Sequence, residues 1–484
     1  MIGSIDNFLN NITMYRLVLY FLLLLLGVAT VFSGLGFLPF GPLELIISII
    51  VLMAVCWVTN KLLASILKVV VNVESAYITA LILALIITPA ISIQGLEFLV
   101  LAGVSAMASK FILAIRKKHL FNPAAVALFI TSVVSVGDAS WWVGRLPMVV
   151  FVLLGGLLLV RKIKRFDLVL SFLTVSAIVI LMSATWRGNN PVALLQNTLL
   201  QSPLLFFAFV MLTEPQTDPP SRKLRILYGG LVGLGVNFFA PEMALVLGNI
   251  FSYLVSPKQR LVLKLQQKIE IGPDIYSFLF KSDRKLKFEA GQYLEWTLPH
   301  QNSDIRGVRR FFTVASSPTE EKVGIGVKFS QNGSSLKRKL LSMKTGDTII
   351  ASGLAGDFTL PKDPDKKLVF IAGGIGITPF RSMIKYLMDI NQRRNIVLFY
   401  AGKEAKEFVF RDVFDRARKI IGLKVVYVTG ILDSERIKKE LPDIKHRIFY
   451  ISGPHSMVEV FENVLPNLGV PKSQIKTDYF PGYA

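Results

Sequence analysis

Arg310, Phe312 and Thr313 stand in the pentapeptide RRFFT (Arg309–Thr313), which offers a guanidinium, an aromatic ring and a hydroxyl within four residues. A guanidinium pairs with pyrophosphate. An aromatic ring stacks on a flat ring system, and a hydroxyl hydrogen-bonds to a heteroaromatic edge. On a strand, alternate side chains share a face, so Arg310 and Phe312 point one way and Thr313 the other. The trio suits a flavin dinucleotide, although each piece alone equally fits a plain strand. Lys328 adds a cation nearby, and NGSS (Asn332–Ser335) precedes an amphipathic run. Backbone N–H groups of Gly333, Ser334 and Ser335 at such a helix start form an anion site.

A second group follows. In IAGGIGITP, Gly373, Gly374 and Gly376 permit a tight turn and close backbone approach. Thr378 is expected as the N-cap and Pro379 as the first helical residue, with a dinucleotide pyrophosphate at the helix start. The spacing is not G-x-G-x-x-G, and a tight strand-to-helix turn reads the same way. SGPHSM (Ser452–Met457) ends a strand and opens a helix at the carboxyl edge of a sheet, where ligands bind. Ser452, Gly453 and Pro454 belong to this loop.

The elements that must carry these groups differ in kind. From about 260 to 360, short strands with turn signals predict a small antiparallel barrel. Beyond it, strands such as NIVLFYAG, LKVVYVTG and RIFYISGP alternate with helices and predict a parallel sheet. The first half is apolar: the chain is 52% hydrophobic, with runs such as Leu17–Val31 and Met148–Val160. About 20 apolar residues cross a hydrocarbon core. Spans are expected near 16–36, 43–64, 75–91, 94–114, 122–137, 143–160, 166–185, 194–213, 225–238 and 241–255, about ten in all, with the fifth short, broken or tilted. The domain boundaries are therefore 1–257 (transmembrane), 258–362 (barrel) and 363–484 (nucleotide domain).

Charge orients the helices. One side would carry Arg16, Lys61, Lys68, Lys110, Arg116, Lys117, Lys118, Arg161, Lys162, Lys164, Arg165, Arg222, Lys223 and Arg225, and the other only Arg145 and Arg187. The positive-inside rule puts both termini and the charged half in the cytoplasm, under the plasma (inner) membrane. No secretory signal opens the chain. The net charge is +21, with 38 basic against 24 acidic residues from 258 onward. A basic domain under an anionic leaflet lies against lipid headgroups; without a nucleic-acid motif, nucleic acid is not the expected partner. Trp141, Trp142 and Trp186 are expected as interfacial anchors.

Residues 260–484 resemble the ferredoxin–NADP reductase family. Its flavin motif, Arg, any residue, Tyr or Phe, then Ser or Thr, appears as Arg310–Thr313. Its pyrophosphate loop matches NGSS, and GLAGDF (Gly353–Phe358) resembles the turn closing its barrel. The resemblance implies bound FAD and NADH or NADPH, with the nicotinamide beside the flavin and Ser452 where many members have cysteine. Thr313 and Ser452 would take the catalytic positions. A C-terminal aromatic often covers the flavin, which makes Tyr479 and Phe480 candidates. Lys403, Glu404, Lys406 and Glu407 follow the second strand, and FVFRD resembles NADH-preferring relatives.

Histidine and cysteine narrow the next carrier. Only His119 precedes residue 300, and Cys56 is the sole cysteine. Neither paired axial histidines for haem nor thiolates for an iron–sulfur cluster are present, and no metal site is expected. LFNPAAVAL (Leu120–Leu128), LLGGLLLVRKIKRFDLVLSFL (Leu153–Leu173) and FVMLTEPQTDPPSRKLRILYGGLVGLGV (Phe209–Val236) resemble the membrane subunits of the Rnf complex and the sodium-pumping NADH:quinone reductase. That family carries FMN on a threonine; the corresponding loop, VGDASWWVG, has none. The expected function is a membrane-bound NAD(P)H oxidoreductase passing electrons through FAD to a non-covalent FMN or a quinone, or across the bilayer, with room for further electron-transport subunits. A transporter or scaffold with a flavin redox sensor, and a membrane-tethered flavin reductase, are the alternatives.

Overall fold

A computed structural model describes residues 9, 12–67, 73–115, 118–134, 139–256, 261–300, 304, 307–330 and 333–478. The chain divides into two compact units, Met1–Ser256 and Pro257–Ala484.

The first unit is helical. In chain order it has α1 (Met14–Gly34), α2 (Pro42–Ile66), α3 (Val73–Ile86), α4 (Ile93–Ile112), the two-residue strands β1 (Ala114–Ile115) and β2 (Lys118–His119), and α5 (Pro123–Val133). Next come α6 (Val149–Ile163), α7 (Phe166–Trp186), α8 (Pro191–Gln201), α9 (Leu204–Phe206) running into a π-helical turn (Phe207–Met211), α10 (Arg222–Gly235) and α11 (Pro241–Val255). Proline opens α2, α5, α8 and α11, where its missing N–H costs nothing. The Asn122 carboxamide caps α5, accepting from the amides of Ala124 and Ala125 at 3.1 and 3.2 Å.

The ten expected spans are matched in part. Among the described residues five helices are long and apolar enough to cross a membrane: α1, α2, α4, Leu146–Ile163 and α7. A sixth results if Pro191–Gln201 and Leu204–Met211 count as one span bent by 64°. Helices α3, α5, α10 and α11 have 14, 11, 14 and 15 residues. At 1.5 Å per residue they reach about 17–23 Å, short of a core about 30 Å thick. Hydropathy overcounts because apolar sequence continues past the helix end: Ile87, just beyond α3, is buried. The tryptophans supply part of the reason. Trp142 Nε1 donates to the carbonyls of Ala84 and Ile87 at 3.0 and 2.9 Å, satisfying the open end of α3. Trp141 and Trp142 are thus buried and are not interfacial anchors, whereas Trp186 is 88% exposed.

The second unit holds two sheets. Strands β3 (Leu261–Gly272), β4 (Ile275–Ser282), β5 (Tyr293–Thr297), β6 (Arg309–Thr313), β7 (Val323–Lys328) and β8 (Thr348–Ala355) form an antiparallel sheet in the order β6-β5-β8-β3-β4-β7, with α12 (Ser335–Ser342) between β7 and β8. Strand β3 alternates buried Leu261, Leu263 and Leu265 with exposed Val262 and Lys264, the period-two pattern of a half-buried strand. Trp296, Phe278 and Phe280 fill the core.

The parallel sheet contains β9 (Lys367–Gly373), β10 (Ile396–Gly402), β11 (Lys424–Thr429), β12 (Arg447–Ser452) and β13 (Ile475–Asp478) in the order β11-β10-β9-β12-β13. Helices α13 (Thr378–Asp389), α14 (Arg411–Ile421), α15 (Ser434–Glu440) and α16 (His455–Asn467) connect them. Leu368–Ala372 are fully buried, as a strand covered on both faces requires. The chain order reverses between neighbours β9 and β12, the switch point where such sheets bind ligands.

Candidate active site

Strand β6 lies against β5, with Tyr293 opposite Thr313 and Trp296 opposite Arg310. Thr313 is buried, Phe312 packs partly against the barrel core, and Phe311, between Arg310 and Phe312, is 48% exposed. Trp296 Nε1 donates to the Phe312 carbonyl at 3.3 Å, fixing the end of the strand.

At α12, buried Ser334 is the N-cap and its hydroxyl accepts from the Lys337 amide at 3.3 Å. The Ser335 amide donates to the Asp304 carboxylate at 2.8 Å, and the Asp304 amide donates back to the Ser335 hydroxyl at 2.9 Å. A carboxylate of the chain itself thus sits on the helix start where Gly333, Ser334 and Ser335 were expected to receive phosphate. This stand-in shows a seat fit for an anion, and with Arg310 the donor set fits a flavin dinucleotide.

The glycine loop is a short 3₁₀ turn, Gly374–Ile377, between β9 and α13. Gly374 has φ +52° and open space where a Cβ would point, while a Cβ on Gly376 would meet the Ser452 carbonyl oxygen at 2.4 Å and Gly453 Cα at 2.6 Å. One glycine leaves room for a ligand; the other lets two loops touch. A Cβ on Gly453 would meet Gly373 Cα at 3.1 Å, and one on Gly373 would meet Pro454 Cδ at 3.0 Å. Gly373, Gly374, Gly376, Ser452, Gly453 and Pro454 therefore converge on the switch point. The expected cap is displaced by one residue: Thr378 is the first residue of α13, Pro379 the second, and the Thr378 hydroxyl donates to the Ile375 carbonyl at 3.2 Å. The 3₁₀ turn takes up the loop that a cap would have ended.

The barrel meets the nucleotide domain directly. A Cβ on Gly326 of β7 would lie 2.9 Å from Thr378 Cγ2. Lys328, expected among the cofactor ligands, places its ammonium 2.8 Å from Glu407 Oε1. That ammonium, aided by the Lys403 amide, holds the Glu407 carboxyl below its ordinary range against its partial burial. Tyr479 and Phe480 lie outside the described residues.

Sequence reasoning missed a second set of contacts. Arg381 and Ser382, one turn into α13, hold the segment after the flavin strand. Arg381 Nη2 donates to Glu320 Oε1 at 2.9 Å and Nη1 donates to Glu320 Oε2 and to the Ala315 carbonyl. Ser382 Oγ donates to the Ser316 carbonyl at 2.6 Å, both residues buried. The available signal was SPTE (Ser317–Glu320), whose acid returns to the Ser317 amide as a capping-type turn does.

In the helical unit the two polar motifs come together. His119 Nε2 lies 2.8 Å from Glu214 Oε1, and Asn122 Nδ2 donates to the Met211 carbonyl at 3.2 Å. Buried Asn249 accepts from the Asn122 amide and donates to Tyr228 Oη, both at 2.9 Å. No group of three or more His, Cys, Asp or Glu residues suited to a metal occurs among the described residues.

Comparison with known proteins agrees with the second unit. Residues 262–360 match the oxidoreductase FAD-binding domain and residues 370–463 the oxidoreductase NAD-binding domain. The phenol hydroxylase P5 protein of Acinetobacter pittii is 30% identical over 172 residues, covering 35% of this chain and 46% of its own. Flavohemoprotein A of Dictyostelium discoideum is 26% identical over 234 residues, covering 45% and 59%. The chain spans about half the length of these curated relatives. Among solved structures, the Amycolatopsis cytochrome P450 reductase is 22% identical, covers 46% of this chain and 70% of its own, and has a TM-score of 0.42. The C-terminal half of this chain carries an oxidoreductase FAD-binding domain followed by an oxidoreductase NAD-binding domain.

Proposed function

We propose that the chain is a membrane-bound NAD(P)H oxidoreductase that passes electrons from NAD(P)H through FAD to an acceptor in the helical unit, or across the bilayer. The observation that carries this reading is the union, in one chain, of an FAD- and NAD-binding module with at least five helices fit to span a membrane. A tether needs one span.

FAD, when bound, accepts a hydride from reduced nicotinamide and can release its electrons singly. The chain's residues bind and orient. Arg310 and the α12 start hold the pyrophosphate, Phe312 supports the ring system, and the Thr313 hydroxyl bonds to its edge. Gly373, Gly374 and Gly376 admit the nucleotide backbone, and Ser452 orients the nicotinamide. Glu407, in the loop after the second strand of the sheet, disfavours a 2′-phosphate, which supports NADH over NADPH.

In the helical unit, the meeting of the Asn122 and Glu214 motifs supports one shared polar site. Together with its likeness to Rnf-type subunits, this favours a non-covalent FMN or a quinone as the acceptor. Basic loops favour a cytoplasmic reductase module against anionic lipid at the plasma membrane.

The test is purification from membranes with cofactor extraction. Two flavins per chain, or NADH-driven reduction of a quinone analogue, is the expected result. One flavin and no lipid-soluble acceptor would reduce the helical unit to an anchor.

A further inference from the structure

The two ligand loops of the reductase module must hold one distance for a hydride to pass, and the structure offers a device for it. The segment Val314–Glu320 continues directly from Thr313, the hydroxyl assigned to the flavin edge. Helix α13 continues directly from the Gly374–Ile377 turn that receives the nucleotide. These two segments are fastened together at successive residues of one helical turn.

Arg381 grips Glu320 with both terminal nitrogens and reaches the Ala315 carbonyl at 3.1 Å. Its side chain is 14% exposed and that of Glu320 is 28% exposed. A paired, two-point geometry of this kind is specific to arginine. Ser382 donates to the Ser316 carbonyl within a fully buried contact. The Ser316 hydroxyl in turn accepts from the Gly324 amide at 2.9 Å, which ties the same segment to β7. Farther along α13, the Thr319 hydroxyl donates to Asp389, which also pairs with Lys385. Glu320 is not spare: one of its oxygens also receives the Ser317 amide at 2.6 Å.

We infer that Arg381 and Ser382 are positioning residues for hydride transfer, acting through the Ala315 and Ser316 carbonyls to set the flavin-edge strand against the nucleotide helix. The inference rests on the reading of the module as an NAD(P)H–FAD oxidoreductase. Neither residue is assigned to a ligand. Their place is one turn behind the residues that are, so their loss changes the separation of the two loops more than the affinity of either. A misplacement of about 1 Å costs about 100-fold in rate.

The test uses the full chain with FAD in detergent or nanodiscs. It compares Arg381→Ala, Arg381→Lys, Glu320→Gln and Ser382→Ala by FAD per chain, amide hydrogen exchange over 314–320, and single-turnover flavin reduction by NADH and 4-deuterated NADH. For Arg381→Ala we expect FAD content within about two-fold of wild type, exchange over 314–320 faster by about ten-fold or more, and reduction slower by about 10- to 100-fold. Its deuterium isotope effect should be larger and more temperature-dependent than in the wild type. Arg381→Lys restores the charge but not the two-point grip and should recover part of both losses. Glu320→Gln and Ser382→Ala, milder changes, should show the same pattern at smaller size and serve if Arg381→Ala does not fold. Unchanged exchange over 314–320, an unchanged reduction rate, or a rate that falls only in proportion to lost FAD would overturn the proposal. A wild-type flavin that NADH fails to reduce would instead overturn the oxidoreductase reading, which the exchange measurement on the FAD-loaded protein keeps separate.

Discussion

The two halves of the molecule treat leucine, isoleucine and valine in opposite ways. Helix α2 turns Leu43, Ile46, Ile50, Val58 and Leu62 outward at 42–63% exposure, while Leu45 and Leu52 face in. In the reductase unit the parallel strand β9 buries Leu368, Val369, Phe370 and Ile371 completely, and few large apolar side chains are exposed. Both units have apolar cores, so the core does not distinguish them. The outer surface does: one unit turns large apolar side chains outward on helices compatible with membrane insertion, and the other exposes few of them.

The largest effect that could break this comparison is a charge placed outward on each half. Ile50→Lys, at 61% exposure on α2, should cost about 3 kcal/mol of membrane insertion and reduce the membrane-integrated fraction in a carbonate-extraction assay. Ile431→Lys, at 91% exposure in the reductase unit, should change stability by no more than about 0.5 kcal/mol. Equal tolerance of both would mean that the helical surface does not face lipid.

Comparable in size is the effect expected of Arg310→Ala, which would remove the proposed charge-assisted contact to pyrophosphate. FAD affinity should fall by about 100-fold, read by flavin fluorescence titration, while the helical unit's extraction behaviour stays as in the wild type. Gly376→Ala comes next. Its methyl would overlap the Ser452 carbonyl at 2.4 Å, so NADH-driven flavin reduction should slow by about ten-fold or more with FAD retained. Gly374→Ala, in open space at φ +52°, carries only backbone strain of about 1 kcal/mol.

The smallest effect concerns pH. Arg447 first, and then Lys367, hold the Asp443 carboxyl down at about 2 from an ordinary 3.8. A carboxylate with a depressed folded-state value stabilises above its unfolded value and loses that contribution as pH falls through the folded one. The reductase unit's melting temperature should therefore drop as pH falls from about 4 towards 2, and less steeply in Asp443→Asn.

The comparison also explains what was legible in the sequence. In the reductase unit, function sits in short loops between strongly patterned strands. RRFFT announced a strand, and NGSS, GGIGITP and SGPHSM each announced a turn or cap; the structure forms β6 at RRFFT, a helix start at Ser334 and the two glycine loops, with Thr378 shifted by one position. The pairing of Lys328 with Glu407 was not legible because the two lie 79 residues apart in sequence. Arg381 and Glu320 were missed for the same reason: each looks like an ordinary surface charge until the fold joins them. In the helical unit the apolar pattern showed where helices begin, through Asn122–Pro123 and the other opening prolines. It placed some ends closely, as at α7 and α11, and overran others, as at α3, where buried Ile87 follows the last helical residue. Trp142, reading as an interfacial residue, is in fact the group that closes α3.

The central claim is that one chain carries electrons from NAD(P)H through FAD into its membrane half. Its most direct test is anaerobic stopped-flow absorbance of the full-length protein in nanodiscs, mixed first with NADH and then with a lipid-soluble quinone. The account predicts flavin bleaching by NADH followed by rapid recovery of flavin colour on adding the quinone, with the recovery lost in a water-soluble fragment lacking residues 1–256. Bleaching without quinone-dependent recovery, or recovery equally fast without the helical unit, would contradict it.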